Sequence, residues 1–448
     1  MGQNLRDRLR RIKETETTRA ATQGYSLDKT IRSAEMGDQG SIPGWVPAGF
    51  QTLTRSVILD RSLVLPVSLP RSLPILIPDL FSYRVRNSPL ESGSLESDFL
   101  KPDDLLFFDL ETTGLSGGAG TVAFLAAFGR LVNTGKSHEE HWLKPYQLKI
   151  DQYLLLDYPG ESDFLEALLQ ELQPGTSPEG AGTPPLIVVT YNGKCFDAQI
   201  LKNRCLMNGI SPPRYYHADL LHPARCLWKR RLSTCSQGEI ETAILGLDRT
   251  GDVPGAHAPE IWFSFLNTGA TEALLRVCDH NQRDILGLAS IFTALAHIAE
   301  APIKGVEQFH GDLENLALHW REALRQPVWE EAIQETGRTL LEVAVAREYP
   351  KAALVMGLDM MRQDHYEAGR SRLLQLIRMA HEACPDNLKA IAYRALAIDA
   401  EWHIRDRDAA LAYVDAGLNL QEVREGMKRE LCYRRDRLVR KNNPCTSA

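Results

Sequence analysis

The chain has 448 residues, about three times the ~150 residues typical of one domain, so we expect two or three domains. Its 44% hydrophobic and 24% charged residues exclude the disordered and collagen-like classes of protein. No apolar run approaches the ~18 residues that indicate a transmembrane helix. The net charge of −7 argues against a protein that coats nucleic acid, because such binding needs clustered lysine and arginine.

The cysteines and the N-terminus both bear on the compartment. The eight cysteines are dispersed and include no C-x-x-C pair, so neither a zinc ribbon nor a disulfide framework is indicated. The first residues are charged, and no apolar segment follows them, which argues against a secretory signal. A cytoplasmic protein with reduced thiols, and without a membrane partner, is therefore expected.

The first part of the chain divides at about residue 100. Residues 1–100 contain Gly and Pro punctuation and short β-rich pieces such as Ser56–Leu59, which predict an N-terminal extension with a few strands. From Asp104 onward the apolar pattern is sharper. We predict strands over Leu105–Leu110, Thr121–Val132, Glu140–Lys144 and Leu186–Tyr191, helices over Ser162–Leu172 and Phe196–Met207, and a flexible loop over 174–185. This order favours an α/β fold with a mixed sheet flanked by helices, over residues 101–301.

The second half reads as helical. Apolar residues recur with a period near 3.6 over Thr271–Glu300, which predicts one long helix. Further on, Ala352–Ala380 and Leu388–Leu420 each read as a helix, a short polar turn and a second helix. Their spacing of roughly 40 residues favours helical-hairpin repeats of the tetratricopeptide sort over residues 330–441. A generic helical bundle is the alternative.

Two basic clusters stand out against the acidic average. Residues 424–441 hold eight Lys or Arg and three acidic residues, a local charge of +5, for which a solvated helix face is the favoured interpretation. For Lys229-Arg230-Arg231, a binding patch and an ordinary exposed surface are equally favoured interpretations, because the cluster lies beside the site predicted below.

Three segments carry residues suited to catalysis. Asp109 and Glu111 are two apart at the end of a predicted strand, so their carboxylates share one face. Asp197 falls in the first turn of the helix that follows Tyr191-Asn192-Gly193-Lys194. His280 and Asp284 are four apart on the long helix and therefore also share a face.

Each segment alone has an ordinary explanation: an exposed acidic pair, a helix N-cap region, or a surface His–Asp pair. Together they offer four carboxylates that a compact mixed sheet could bring to one place. Hard oxygen ligands suit Mg²⁺ or Mn²⁺ and not zinc. Two such ions ~3.5–4 Å apart activate a water molecule and stabilise the leaving oxygen of a phosphodiester.

These segments resemble the three exonuclease motifs of the DEDD superfamily, which has the ribonuclease-H-like fold. The surrounding sequence is similar to the YprB-like branch, in which this domain precedes tetratricopeptide-like repeats. The resemblance covers roughly residues 100–300 well and the C-terminal helices loosely. It is carried by Tyr216-His217-Ala218-Asp219-Leu220-Leu221-His222, Pro223-Ala224-Arg225, Gly246-Leu247, Arg249, Gly251-Asp252-Val253-Pro254-Gly255, Pro259, His280-Asn281 and Asp284-Ile285.

The resemblance implies a role for each matching residue. Asp109, Glu111, Asp197 and Asp284 would bind two divalent ions, and His280 would orient or deprotonate the attacking water. The sequence departs from the family at one point. One type of member places a tyrosine four residues before the last aspartate, and the other type a histidine five before it. Here position 280 combines the first spacing with the second residue type.

Several further residues are weaker candidates for contact with substrate. Thr112, Thr113 and Gly114 are expected to cradle a terminal nucleotide, although a tight turn needs the same residues. Asn192 and Lys194, and with them Arg225, are expected to meet the substrate or its phosphates. Asp219 is read first as a helix N-cap. Trp228, Trp262 and Phe263 are read as core aromatics before base-stacking groups.

We therefore expect metal-dependent phosphodiester hydrolysis, by a 3′→5′ exonuclease acting on single-stranded DNA or RNA. Polarity and exonucleolytic action come from the resemblance, since four carboxylates alone also fit endonucleases. The alternative is a helical-repeat adaptor whose nuclease-like domain binds nucleic acid but cleaves weakly or not at all, and a third candidate is a nuclease acting on a small nucleotide. The C-terminal helices are expected to bind a protein partner.

Overall fold

The structure is a computed structural model that describes residues 42–81, 100–114, 120–136, 143–172, 186–326 and 328–442. The loop predicted at 174–185 and most of the predicted N-terminal extension lie outside these residues. The chain forms two compact units, Met1–His310 and Gly311–Ala448. Over the described ranges, no helix combines the length and the apolar character that crossing a membrane requires.

The first unit is built on a mixed sheet of seven strands in the order β1-β2-β5-β4-β3-β6-β7. Neighbours from β1 to β3 pair antiparallel, whereas β3, β6 and β7 run parallel. This arrangement confirms the predicted mixed α/β fold. The strands are β1 (Val46–Gly49), β2 (Thr52–Pro66), β3 (Leu105–Thr112), β4 (Ala123–Asn133), β5 (Leu143–Leu155), β6 (Ile187–Thr190) and β7 (Tyr216–Asp219).

The predicted N-terminal extension contributes to this sheet. Strand β2, which contains Ser56–Leu59, pairs with β5 along nearly its whole length, from Thr52 opposite Leu155 to Pro66 opposite Leu143. The first three residues of the predicted strand at Glu140–Lys144 lie outside the described residues, and its last two begin β5, which runs on to Leu155. Its alternation of buried and partly exposed residues is that of a strand with one face toward the core.

Helices cover the sheet and connect its strands. The longest, α7, extends over 29 residues and buries an apolar stripe of the period seen in the sequence. The helices of this unit are α1 (Leu73–Leu76), α2 (Glu161–Leu172), α3 (Asp197–Met207), α4 (Leu221–Trp228), α5 (Gln237–Ala243), α6 (Ala258–Thr268), α7 (Glu272–Glu300) and α8 (Pro302–Gln308).

Helix α7 and the aromatic core fix the middle of the sheet. The first half of β3, residues 105–108, is apolar on both faces, as expected for a strand that is covered on both sides. Phe107 of β3 meets Phe292 of α7 edge to face, with ring centroids 5.8 Å apart. Trp228 and Trp262 are buried, and their indole N–H groups donate to the carbonyls of Phe309 and Leu155. These two tryptophans are therefore core residues, as expected, whereas the same expectation for Phe263 is wrong, since this residue is 39% exposed.

The second unit contains helices alone over its described residues. Two pairs of consecutive helices pack against each other as helical hairpins. Helices α11 (Pro350–Arg362) and α12 (Tyr366–Arg378) cover the stretch predicted at Ala352–Ala380, and α13 (Asp386–Asp399) and α14 (Arg407–Leu418) cover the one at Leu388–Leu420. A π-helical turn, Ala400–Ile404, extends α13. The helices are α9 (Leu313–Ala323), α10 (Glu331–Ala346), α11 (Pro350–Arg362), α12 (Tyr366–Arg378), α13 (Asp386–Asp399), α14 (Arg407–Leu418) and α15 (Glu425–Asn442).

The basic run at 424–441 lies on α15 and is partly neutralised inside its own unit. Glu401, whose side chain is 3% exposed, contacts Arg434 at 2.8 Å and Lys441 at 3.1 Å, and also pairs with Arg437. Arg435 pairs with Asp415 at 2.7 Å. Half of the eight cations thus hold α15 against its neighbours.

Candidate active site

The first two acids of the site come from the end of β3. Asp109 pairs in register with Ala127 of β4, and Glu111 pairs with Leu125. Side chains two residues apart on a strand point to the same face, so both carboxylates project from that face. Leu110, between them, is buried. The strand therefore places two acids side by side, as the D-x-E spacing predicts.

The third acid is held by a tight loop between β6 and α3. Asn192 has a positive φ of 62°. A Cβ on Gly193 would lie 2.5 Å from Oγ1 of Thr190 and 2.9 Å from Oδ2 of Asp197, so only glycine fits without a shift of these atoms. The loop thus presses its backbone against Asp197 at the start of α3.

Asp219, at the end of β7, organises this loop. Its Oδ1 accepts hydrogen bonds from the backbone N–H groups of Asn192 at 2.8 Å and Leu221 at 3.0 Å. Its Oδ2 accepts from the N–H of Lys194 at 3.1 Å. The N-cap of α4 is Leu220, which makes no side-chain cap hydrogen bond, so the expectation that Asp219 is the N-cap is wrong. Asp219 lies one residue earlier, accepts from the first N–H of α4 and fixes the loop that leads to Asp197.

The last two predicted residues lie together on α7. Nε2 of His280 is 3.2 Å from Oδ2 of Asp284 and 3.8 Å from Oε1 of Glu111. His280 is therefore directed toward the acids at its unusual spacing. Asp279, which stands five residues before Asp284, has a side chain that is 59% exposed and pairs with Arg55 instead.

Three residues that the sequence did not single out as site residues surround this pair. Nδ1 of His280 lies 3.0 Å from Oδ2 of Asp252. Arg249 pairs with Asp284 and with the buried Glu241, and lies 3.2 Å from Oδ2 of Asp252. Arg249 and Asp252 belong to segments that carried the family resemblance, which was the available signal.

All five residues predicted to be catalytic line one cavity of about 250 Å³. Thr112 and Asn192, two of the residues predicted to bind substrate, also line it. The remaining lining residues are Leu110, Tyr191, Phe196, Gly255 and Pro259.

The other predicted substrate residues are engaged locally. The hydroxyl of Thr113 accepts from the N–H of Val122 at 2.9 Å, and the carbonyl of Gly114 accepts from the hydroxyl of Thr112 at 3.0 Å. The ammonium group of Lys194 pairs with Asp79, which follows α1. Arg225 and the Lys229–Arg231 cluster are exposed.

Burial and like charge act together on the carboxyls. Burial, followed by the charges of Asp284 and Asp197, raises the pKa of both Asp109 and Glu111 well above the ordinary range. Burial and then Asp219 raise the pKa of Asp197 to about 7. Carboxyls gathered in this way resist ionisation unless a cation compensates them.

The donor set fits a hard divalent ion. Single ligand atoms of Glu111, His280 and Asp284 all lie within 4.8 Å of one another. Asp109 and Asp197 line the same cavity and add carboxylate oxygens. Oxygen-rich sets of this kind suit Mg²⁺ or Mn²⁺. Such an ion would supply the positive charge that compensates these buried carboxyls.

Comparison with known proteins agrees with the geometry. Residues 106–296 match the model of the RNase_H superfamily, so this region is similar to domains of that superfamily. The chain is 30% identical over 302 residues to YprB of Bacillus subtilis (strain 168), itself described as an uncharacterized protein. The alignment spans 65% of this chain and 65% of YprB, so the chain covers less than two thirds of that relative.

The predicted ribonuclease-H-like fold and the similarity to YprB are thereby confirmed. The match is in line with the predicted phosphodiester hydrolysis, which stays a prediction. The identities of the ions, the type of cleavage and the tetratricopeptide character of the C-terminal helices remain predictions.

Proposed function

We propose that the protein is a metal-dependent 3′→5′ exonuclease that acts on single-stranded DNA or RNA. One observation carries the proposal: residues from β3, the start of α3 and one face of α7 converge on a single cavity. The cavity contains four carboxylates and a histidine, and no other set of residues in the described chain was found that could hold an ion in this way.

In this proposal Asp109, Glu111, Asp197 and Asp284 bind two ions of Mg²⁺ or Mn²⁺. Such ions, when bound, activate water and stabilise the leaving oxygen of a phosphodiester. His280 takes the proton of the attacking water through Nε2, the ring nitrogen that faces Glu111 and Asp284. Asp252, whose Oδ2 lies 3.0 Å from Nδ1, would orient the imidazole by accepting a hydrogen bond from Nδ1, although the two atoms do not have hydrogen-bond geometry in this structure.

Thr112, Thr113, Gly114 and Asn192 would contact the terminal nucleotide. Thr112 and Asn192 line the cavity beside the acids, which supports such contact, and action at a chain end rests on the resemblance to exonucleases. Lys194 would reach phosphate only by leaving Asp79, so we assign it a smaller role. We further propose that the protein is cytoplasmic and that its C-terminal helices are tetratricopeptide-like and bind a protein partner.

The adaptor function is less well supported. A module that only binds nucleic acid gains nothing from four carboxylates, since these repel phosphate in the absence of metal. The same acids would also disfavour binding of a free anionic nucleotide without an ion.

The test is digestion of single-stranded DNA and RNA of one sequence, labelled at either end, with Mg²⁺ or Mn²⁺. We expect mononucleotide release from the 3′ end and no cleavage of a circular single strand. Cleavage of the circle would assign endonuclease activity instead. Binding of both strands without cleavage in either ion would favour the adaptor. The Asp109→Ala variant, purified in parallel, excludes a contaminating nuclease.

A further inference from the structure

A chain of hydrogen-bonded side chains leads to Asp109 from β2, which lies three strands away from β3 in the sheet. Nε of Arg55, on β2, donates to Oε1 of Gln152 on β5 at 2.7 Å. Nε2 of Gln152 donates to Oδ1 of Asn281 on α7 at 2.9 Å. Nδ2 of Asn281 then donates to Oδ2 of Asp109 at 2.8 Å. Three elements are thus connected to one oxygen of one carboxylate.

The direction of this chain is fixed at its Arg55 end. A guanidinium group only donates hydrogen bonds, and a backbone carbonyl such as that of Cys278 only accepts them. Gln152 must therefore turn its oxygen toward Arg55 and its nitrogen toward Asn281, which in turn presents its oxygen to Gln152 and its nitrogen to Asp109. The orientations of Gln152 and Asn281 follow from this chemistry and do not depend on telling amide oxygen from nitrogen.

Burial and further contacts make the chain rigid. Gln152 is 1% exposed and Asn281 is 0% exposed, so neither amide exchanges partners with bulk water. Nε2 of Gln152 also donates to the carbonyl of Cys278 at 2.8 Å, which ties β5 to the turn of α7 that carries His280. Arg55 is held at its outer end by Asp279 at 3.0 Å.

We propose that Arg55, Gln152 and Asn281 are positioning residues that hold the Asp109 carboxylate in the orientation in which it binds a divalent ion. This inference rests on the proposed function, since it concerns the same site. Asn281 restrains rotation of the carboxylate through Oδ2, Gln152 sets the orientation of Asn281, and Arg55 sets that of Gln152. Such partners of a metal ligand affect metal affinity without touching the metal.

The test is binding of Mn²⁺ to the full chain, measured by titration calorimetry in the absence of nucleic acid. We expect Asn281→Leu to weaken Mn²⁺ binding about 10–100-fold, the usual effect of removing a partner of a ligand. Arg55→Met is expected to weaken it less, and Arg55→Lys, which keeps a donor, to retain most of the affinity. The control is Arg130→Met, which removes the 2.6 Å pair with Glu171 from the same sheet. It is expected to leave Mn²⁺ binding unchanged.

A double-mutant cycle distinguishes action through this hydrogen-bonded chain, which we call the relay, from three independent effects on Mn²⁺ affinity. In a protein that already carries Gln152→Leu, the further substitution Arg55→Met should not change Mn²⁺ affinity, because the hydrogen bond to Asn281 is already lost. Additive effects would overturn the proposal. So would unchanged Mn²⁺ affinity in a folded Asn281→Leu variant. If that variant does not fold, Arg55→Met decides alone, because it leaves both buried amides in place.

The outcome is distinguishable from failure of the proposed function. A wild-type protein that binds Mn²⁺ but cleaves no nucleic acid would contradict the exonuclease and leave the relay standing. A wild-type protein that binds no Mn²⁺ would overturn the relay. Thermal unfolding in EDTA tests whether these three residues have a structural role alone. In that case a substitution would change the midpoint of unfolding but not the Mn²⁺ affinity of the folded protein.

Discussion

Arg249 binds one oxygen of Asp284, and His280 faces the other. Nη2 of the guanidinium donates to Oδ1, whereas Oδ2 lies 3.2 Å from Nε2 of His280. The same guanidinium pairs through Nε with Glu241, which is 1% exposed. The side chain of Gln237 donates to the Asp284 carbonyl at 2.7 Å. A candidate metal ligand is thus already partly compensated by a protein cation.

Arg249→Met is expected to destabilise the metal-free protein by about 3 kcal/mol or more, because it leaves the buried Glu241 and Asp284 without their cation. Mn²⁺ should reduce this loss, since it supplies positive charge to Asp284. The measurement is the midpoint of urea unfolding with EDTA and with Mn²⁺. Arg204→Met, which removes the pair with Glu161 elsewhere in the same unit, is the control whose loss Mn²⁺ should not change. An equal response of both variants to Mn²⁺ would contradict this account.

Asp109→Ala is expected to abolish metal-dependent cleavage while the fold survives. Burial and then the neighbouring carboxylates raise the pKa of Asp109, so its replacement removes a buried group that resists ionisation, and the variant should be no less stable than wild type in EDTA. Cleavage is followed on end-labelled strands and folding by circular dichroism. Undiminished cleavage by the wild type in EDTA would rule out the two-metal mechanism.

His280→Ala is expected to lower turnover by ~10²–10⁴, the usual contribution of general acid–base catalysis. The motivation is that Nε2 faces Glu111 and Asp284. Mn²⁺ affinity should change little if the imidazole acts as the base, and should fall if it is a ligand. Turnover is measured from pH 6 to 9 at saturating Mn²⁺. Wild-type turnover throughout would assign the base to another group.

The sequence predicted the sheet, the long helix and the five residues of the site because each depends on local pattern. Asp109 and Glu111 follow from strand periodicity, and His280 and Asp284 from helix periodicity. The relay through Gln152 was not predictable, because β5 contains no recognisable motif. Gln152 and Asn281 are also 129 residues apart in the sequence. The pairing of β2 with β5 was missed for the same reason: register depends on long-range contact.

The stability of the metal-free protein is expected to depend on pH through the raised carboxyl pKa values. The pKa of Asp197 is about 7 when folded and about 3.8 when unfolded. Between these values the folded protein retains a proton that the unfolded chain releases, so the stability falls as the pH rises from about 4 to about 7. Asp197→Asn should therefore gain stability relative to wild type over this range in EDTA. Urea midpoints at several pH values measure the difference, and a constant difference would contradict the prediction.

The last prediction separates chemistry from binding by truncation after His310. The truncation is placed after His310 and not at residue 301, the predicted end of the domain. The reason is that the indole of Trp228 donates to the carbonyl of Phe309 at 2.9 Å, so residues beyond 301 belong to the first unit. The first unit contains all the candidate ligands, so the truncated protein should retain metal-dependent cleavage of short oligonucleotides. It should lose affinity for longer strands or for a protein partner.

Salt dependence identifies what the second unit binds. If cations of α15 contact phosphate, the full chain should have the steeper log–log dependence of affinity on salt, by about one unit for each contact. Because Glu401 already pairs with Arg434, Arg437 and Lys441, the contacts would come from the remaining cations of this helix. Equal slopes for the full and truncated chains would mean that the cations of α15 do not contact phosphate and that the helix is solvated and internally paired. The second unit would then be expected to bind protein. A truncated protein that is folded but cleaves no substrate would contradict the separation of chemistry from binding.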